Sequence, residues 1–328
     1  MANSIWVVLQ QRDGVLHKMS FEAIRAGQEL AAASGGRVSA VLLGSGLDEA
    51  KTRLAQLDLA EVLVVEMEAL ANYTPGGYTT ALKAVIEETD PSLLVFPHTY
   101  QTVDYAPQLA LALDAALIPE ATAFTVSDDG IEWTRPILGG KMIAKVRAKS
   151  ADRALVSIQS GSFSGDEVAA GSAEVRSLEI DPALVVPDRE ILGVEEAASE
   201  HIDLSQSDYI VGVGRGIGDP ENLGIVEDLA KALGAEIAAS RPVIDNGWLP
   251  RDRQVGSSGQ TVSPKLYLAA GISGAIQHLV GMKGSQVIVA INKDPGAPIF
   301  NVAHYGIVGD LHEIVPALTA AVNEAKSG

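Results

Sequence analysis

The chain contains no cysteine. Disulfides, cysteine nucleophiles, zinc ribbons and thiolate-ligated iron–sulfur clusters are therefore excluded. If this protein moves electrons, it does so with an organic cofactor. Long apolar runs are missing too. The longest candidate, Leu109 to Ile118, is interrupted by Asp114, and nothing approaches the ~18 residues of a membrane helix. The N-terminus, Met1-Ala2-Asn3-Ser4, has no basic segment followed by an apolar stretch, so a cytoplasmic location and no membrane insertion are expected. Positive charge is in short supply: 24 Lys+Arg against 42 Asp+Glu leave a net charge of −18. A nucleic-acid partner would have to work against that field. None of the six histidines sits in an H-E-x-x-H pattern, Walker A is absent, and Gly271-Ile272-Ser273-Gly274-Ala275 misses G-x-S-x-G by its last residue. No metal site is expected.

What is present is a globular composition, with 47% hydrophobic and 20% charged residues over 328 positions. That is enough for two domains, each with its own core. The acidity is uneven. Residues 206–328 hold 9 Lys+Arg and 12 Asp+Glu, a net of −3; the remaining 15 and 30 in 1–205 give −15. The C-terminal part is the better place for an anionic ligand.

Short apolar runs alternate with helical periodicity through the first third. Ile5–Leu9, Val38–Leu43, Val62–Val65 and Leu93–Phe96 read as strands. Helices are predicted from Ser20 to the Gly35-Gly36 stop, over Leu47–Gln56, over Gly76–Glu88 with Pro91 past its end, and over Tyr105–Leu113. Buried parallel strands with helical crossovers fit this alternation. The pattern changes at Ala121. Ala121–Val126, Trp133–Arg135, Lys141–Ala148 and Leu155–Ser160 are extended, with turns at Asp128-Asp129-Gly130 and Gly139-Gly140, and read as strands joined by hairpins. Residues 164–205, polar and acidic, read as the connection between domains, with a strand at Val175–Leu178.

From Tyr209 the alternation resumes: strands at Ile210–Val213, Glu236–Ala239, Leu266–Ala270, Val287–Ile291 and Ile307–Val308, and helices over Glu221–Leu233 (capped by Gly234), Ser273–Val280 and Leu311–Ala325. The expected fold is α/β with two doubly wound domains. The first, 1–190, is Rossmann-like with an antiparallel strand extension. A linker covers 191–206. The second, 207–328, has a parallel, flavodoxin-like or DHS-like sheet.

Five strand ends in the second domain carry residues suited to a ligand. Gly212-Val213-Gly214-Arg215-Gly216-Ile217-Gly218 follows a strand. It is either a dinucleotide-type turn, with Arg215 for a phosphate, or a tight βα turn. Ala239-Ser240-Arg241-Pro242 lies at the carboxyl edge of the sheet. Gln254-Val255-Gly256-Ser257-Ser258-Gly259 either wraps a cofactor or is a flexible loop. Gly271-Ile272-Ser273-Gly274-Ala275-Ile276-Gln277-His278 ends a strand and opens a helix, with Ser273 placed as N-cap; His278 is either a ligand contact or a satisfied core histidine. Asn292 and Asp310, before Leu311, either touch a nucleotide or serve as turn and cap residues.

Together these segments resemble the α subunit of electron transfer flavoprotein. The run Leu266–Gly309, LYLAAGISGAIQHLVGMKGSQVIVAINKDPGAPIFNVAHYGIVG, is similar to that family's C-terminal signature almost residue for residue. Arg215, Ser240-Arg241 and Gln254–Gly259 match its other motifs in order and spacing. The resemblance implies a heterodimer with a β subunit and one FAD in the second domain. AMP, or a second FAD in bifurcating members, would lie in the β subunit. Donors would be acyl-CoA dehydrogenases, as in fatty acid β-oxidation, or related enzymes; the acceptor would be a quinone oxidoreductase or another protein. It further implies Arg241 against the isoalloxazine, Ser258 at flavin N5, and His278 at the pyrimidine carbonyls. Ser273 and the backbone of Gly274–Ile276 would hold the pyrophosphate, and Asn292, Asp310 and Leu311 the adenosine end, with Arg215 nearby. Gly216, Ser240, Gln254, Val255, Gly256, Ser257, Gly271, Ala275 and Gln277 complete the expected cofactor shell. The family often has Gln-Thr where this chain has Ser257-Ser258. A nucleotide-binding module without a redox role is the alternative.

Overall fold

The computed structural model describes residues 4–138, 140–149, 153–193 and 202–327. Contacts divide the chain into two units, 1–195 and 196–328. Residues 194–201, within the expected linker, and Gly139 of one expected turn lie outside the described residues.

The first unit runs β1 (Ser4–Val8), a short hairpin β2 (Gln11–Arg12) and β3 (Val15–Leu16), α1 (Lys18–Ser34), β4 (Arg37–Gly44), α2 (Asp48–Leu54), β5 (Glu61–Glu66), α3 (Pro75–Thr89), β6 (Leu93–Pro97) and α4 (Tyr100–Ala112). It continues with β7 (Ala116–Ala121), β8 (Ala123–Ser127), β9 (Gly130–Ile137), β10 (Met142–Val146), β11 (Ala154–Ile158) and β12 (Glu174–Ser177). Seven strands form one parallel sheet in the order β12-β5-β4-β1-β6-β11-β7, and β10-β9-β8 form a small antiparallel sheet. One face of the large sheet packs Ile5, Val7, Ala40 and Val95 with Phe21, Ile24 and Leu30 of α1 and with Trp133 of the antiparallel sheet. The other packs Trp6, Val8, Leu63 and Phe96 with Leu82 and Val85 of α3 and Tyr105 and Leu109 of α4. Each fully buried aliphatic side chain of this kind contributes about 1.5–3 kcal/mol.

Helix ends follow cap chemistry. The Thr74 hydroxyl accepts from Gly77 N ahead of Pro75, and the Thr99 hydroxyl accepts from Thr102 N. Thr99 therefore starts α4 five residues before the predicted Tyr105. Likewise α1 begins at Lys18 rather than Ser20, because the His17 ring accepts from Met19 N.

Three expectations for this unit are corrected. The extended stretch predicted as Ala121–Val126 is two elements: β7 ends at Ala121 and β8 starts at Ala123, with Glu120 at φ +58° bending the chain. Leu155–Ser160 is not part of a hairpin. As β11 it lies between β6 and β7, parallel to both and buried along its whole length. The carboxyl ends of these three strands are tied by His98 Nδ1, 2.8 Å from Ser157 Oγ, and by the Glu120 amide donating to that same oxygen at 3.2 Å. Finally, much of 164–205 is not a free connection. Residues 169–173 bond backbone to backbone with 55–58, β12 pairs in parallel with β5, and Asp188 accepts from Gly76 N at the start of α3.

The second unit runs β13 (Tyr209–Val213), α5 (Leu223–Leu233), β14 (Glu236–Ala239), α6 (Arg241–Asp245), β15 (Leu266–Ala270), α7 (Ile276–Met282), β16 (Val287–Asn292), β17 (Tyr305–Val308) and α8 (Leu311–Ser327). Its sheet is parallel in the order β14-β13-β15-β16-β17, the flavodoxin-like arrangement. Val211, Val213 and Leu268 pack against α5 and α8 on one face; Ile210, Tyr267 and Ile288 pack against Met282, Ile299 and Val262 on the other. Gly234 closes α5 at φ +70°, as predicted. Strand order reverses between β13 and β15, so the crevice beyond their carboxyl ends is where a ligand has room.

Candidate functional site

At that crevice lies a cleft of about 740 Å³, within the range of small-molecule sites. Fifteen of the expected cofactor residues line it: Arg215, Gly216, Ser240, Arg241, Gln254, Val255, Gly256, Ser257, Ser258, Gly271, Ser273, Ala275, Gln277, His278 and Asn292. Pro242, Ile272 and Lys293 line it as well and were not among those expected. Lys293 was legible as a cation directly after a predicted strand end. Three side chains in the lining are cationic, Arg215, Arg241 and Lys293, and no lining residue is a carboxylate.

Four expected residues are not in the lining. Gly274, at φ +85°, has its Cα hydrogens against the Ile299 amide, leaving no space for a side chain. Ile276 is an exposed residue at the start of α7. Asp310 accepts from His312 N at 2.9 Å and so caps α8, and Leu311 is buried beneath Gly271. Ser273 lines the cleft but is not an N-cap. The helix begins at Ile276, with Ala275 before it and no side-chain cap bond. Gly271 and Gly274 both take left-handed φ, which holds 271–275 as a loop rather than a first helical turn.

That loop has a ligand-ready backbone. Among the described residues, the amides of Ile272, Ser273, Gly274 and Ala275 donate to no acceptor in the chain. Carbonyls there are used: Ser273 O accepts from Ile299 N and Ile272 O from Asn292 Nδ2 at 2.9 Å. The Asn292 amide oxygen accepts from Asp294 N, so this side chain braces the loop from below. Successive free amides in a loop with left-handed glycines form an anion-binding concavity.

The opposite wall is the 254–260 loop. It closes on itself through Gln260 N to Gln254 O and Gly259 N to Gly256 O, and Gln254 Nε2 donates to Ser258 Oγ at 2.9 Å. Its backbone rides on α7: Ser257 N donates to Gln277 O at 2.7 Å, and a Cβ at Gly256 would lie 2.6 Å from that carbonyl. A Cβ at Gly281 would strike the Gly256 amide. Gly281→Ala is therefore expected to lift this loop and cost about 1–3 kcal/mol of stability. A urea melt of the variant, with cofactor titration alongside, checks this.

Arg241 follows Ser240 at the end of β14 and pairs with Asp245 at 3.2 Å on the exposed side of α6. His278 is buried. Its Nε2 is 3.0 Å from Tyr267 Oη, and its Nδ1 is buried without a hydrogen-bond partner. Burial pushes its pKa down to about 4, the Val255 backbone opposing the shift, so the ring is neutral at pH 7. It is an uncharged contact, not a cation.

Residues 5–183 match the family described as "Electron transfer flavoprotein domain", and residues 203–283 match "Electron transfer flavoprotein FAD-binding domain". The chain belongs to the electron transfer flavoprotein α-subunit family. It is 36% identical over 325 residues to the electron transfer flavoprotein subunit alpha of Thermoanaerobacterium thermosaccharolyticum, covering 98% of each chain. It is 38% identical over 320 residues to the corresponding subunit of Bacillus subtilis, covering 97% of each. It is also 34% identical over 320 residues to the LctC subunit of a lactate dehydrogenase (NAD(+),ferredoxin) from Acetobacterium woodii, covering 97% of this chain and 76% of that one. Electron transport and a flavin fit this membership. The cleft fits FAD on its own terms, through three cations, a run of free amides and one orphaned buried nitrogen. Among the described residues, no helix is long and apolar enough to cross a membrane.

Proposed function

We propose that this chain is the α subunit of a heterodimeric, cytoplasmic electron carrier that holds FAD in the cleft of its second unit. The observation that carries the reading is the cleft's chemistry: Arg215, Arg241 and Lys293 around the free amides of 272–275, with no carboxylate in the lining. Bound FAD supplies reversible one- and two-electron chemistry. The protein supplies binding and electrostatics. The 271–275 backbone receives the pyrophosphate. Arg241 stacks against the ring, where its planar group favours added negative charge. The Ser258 hydroxyl, oriented by Gln254, reaches the ring's N5 edge, and His278 meets the pyrimidine carbonyls. Arg215 and Lys293 face the adenosine half. Partners are a β subunit carrying AMP, a donor of acyl-CoA dehydrogenase type and an acceptor of quinone oxidoreductase type, consistent with fatty acid β-oxidation. Residues 191–206 link the two units.

A bifurcating complex is a second reading, favoured by the similarity to a subunit whose name includes NAD(+) and ferredoxin. One preparation separates the two. The chain is purified with its β subunit, its visible spectrum recorded and its released cofactors separated. One FAD and one AMP per heterodimer are expected. Two FAD per heterodimer would favour bifurcation. A colourless complex that takes up no added FAD would overturn both readings and leave a nucleotide-binding module.

A further inference from the structure

Tyr267 sits in the middle of β15, fully buried, in a strand whose other side chains are Leu and Ala. Its ring crosses the neighbouring strand above Gly212, where a Cβ would collide with the hydroxyl. A side chain at 212 is thus excluded so that the Tyr267 hydroxyl can reach its one described partner, His278 Nε2 at 3.0 Å. The two rings meet edge to face, 6.0 Å between centroids.

The proton arrangement follows from counting donors. Burial raises the Tyr267 pKa far above the ordinary phenol range, so the hydroxyl keeps its proton. The histidine ring is neutral and carries one N–H. If that hydrogen is on Nε2, it donates to the phenol oxygen. The buried phenol hydrogen then has no acceptor, and Nδ1 is a bare acceptor with no donor. If the hydrogen is on Nδ1, the phenol donates to Nε2 and both are satisfied, leaving only Nδ1–H seeking a partner. The second arrangement leaves one fewer buried group unsatisfied, a preference of roughly tenfold or more. The Val255 backbone, which favours a proton on this ring, makes no hydrogen bond of normal geometry with Nδ1.

We propose that Tyr267 is a positioning residue that fixes His278, a residue of the cleft lining, as its Nδ1–H tautomer, with Nε2 held as the acceptor of the phenol hydroxyl. This inference rests on the cleft being the FAD site.

The test is nitrogen-15 NMR of the full-length chain labelled at histidine, with the His278 signals assigned by their loss in His278→Gln. At neutral pH the wild-type chain without cofactor should show the Nδ1–H tautomer. In Tyr267→Phe, where Nε2 loses its donor, the tautomer ratio should move at least about tenfold toward Nε2–H. A wild-type ring protonated on Nε2, or a Phe variant with an unchanged ratio, would overturn the proposal. The wild-type spectrum decides by itself should the variant not fold. Adding FAD separates this idea from the site reading: a locked Nδ1–H tautomer whose shift does not respond to FAD upholds the tautomer lock and sinks the cleft assignment.

Discussion

Arg241→Ala is expected to lower the one-electron midpoint potential of bound FAD more than any other single change in the cleft. A full charge about 4 Å from the ring, at an effective dielectric near 20, interacts by up to about 4 kcal/mol. For a one-electron step that is roughly three decades, or about 180 mV. This is the ceiling, because the Arg241 side chain is 68% exposed and pairs with Asp245, and exposed charges are screened. The expected drop is therefore some tens of millivolts up to that ceiling. Arg241→Lys should fall between, since it keeps the charge and loses the planar stack. Asp245→Ala, which frees Arg241 of its counter-charge, should move the potential the other way. A redox titration of the heterodimer measures all three. An Arg241→Ala potential within a few millivolts of wild type would remove Arg241 from the ring.

Acid should destabilise the second unit through His278, with a defined sign and window. The folded ring titrates near 4 against an ordinary value of 6.5, because burial penalises the charged form. Between those values the unfolded chain binds the proton and the folded one does not, so stability falls as pH falls. The contribution is whole above pH 6.5, is lost progressively down to about pH 4, and amounts to about 3 kcal/mol in total. His278→Gln should flatten this slope by up to one proton while keeping a polar group beside Tyr267. Hydrogen exchange of the β15 and β16 amides, corrected for intrinsic rates, reads the slope. An equally steep loss in the variant would place the acid sensitivity elsewhere.

Much of the second unit was legible because each element carried its own local signal. Leu266–Ala270 and Glu236–Ala239 fall where the apolar runs put them, and Gly234 caps where its left-handed φ is required. The first unit was less legible where context overrode pattern. The Ala116–Ala121 strand is small, mixed in polarity and only partly buried, so no periodicity marked it. Ala154–Ile158 read as one strand of a hairpin, although its burial on both faces belongs to a central parallel strand. Within the cleft, Ser273 looked like an N-cap, but the two left-handed glycines around it delay the helix to Ile276. Tyr267 carried no signal beyond its place in a predicted strand, because its partner His278 lies across a turn and a helix start.

The sequence by itself determined the class of fold, the position of the glycine-marked strand ends and the cationic, serine-rich character of the residues that meet there. Those are local properties: hydrophobic period, chain reversal and side-chain chemistry are written in neighbouring residues. Only the tertiary structure decided which of the marked residues share one cleft and which are caps or packing. It also decided that His278 is neutral, and that its free nitrogen is Nδ1. Burial, desolvation and the Tyr267 contact arise between residues that come together only when β13, β15 and α7 assemble.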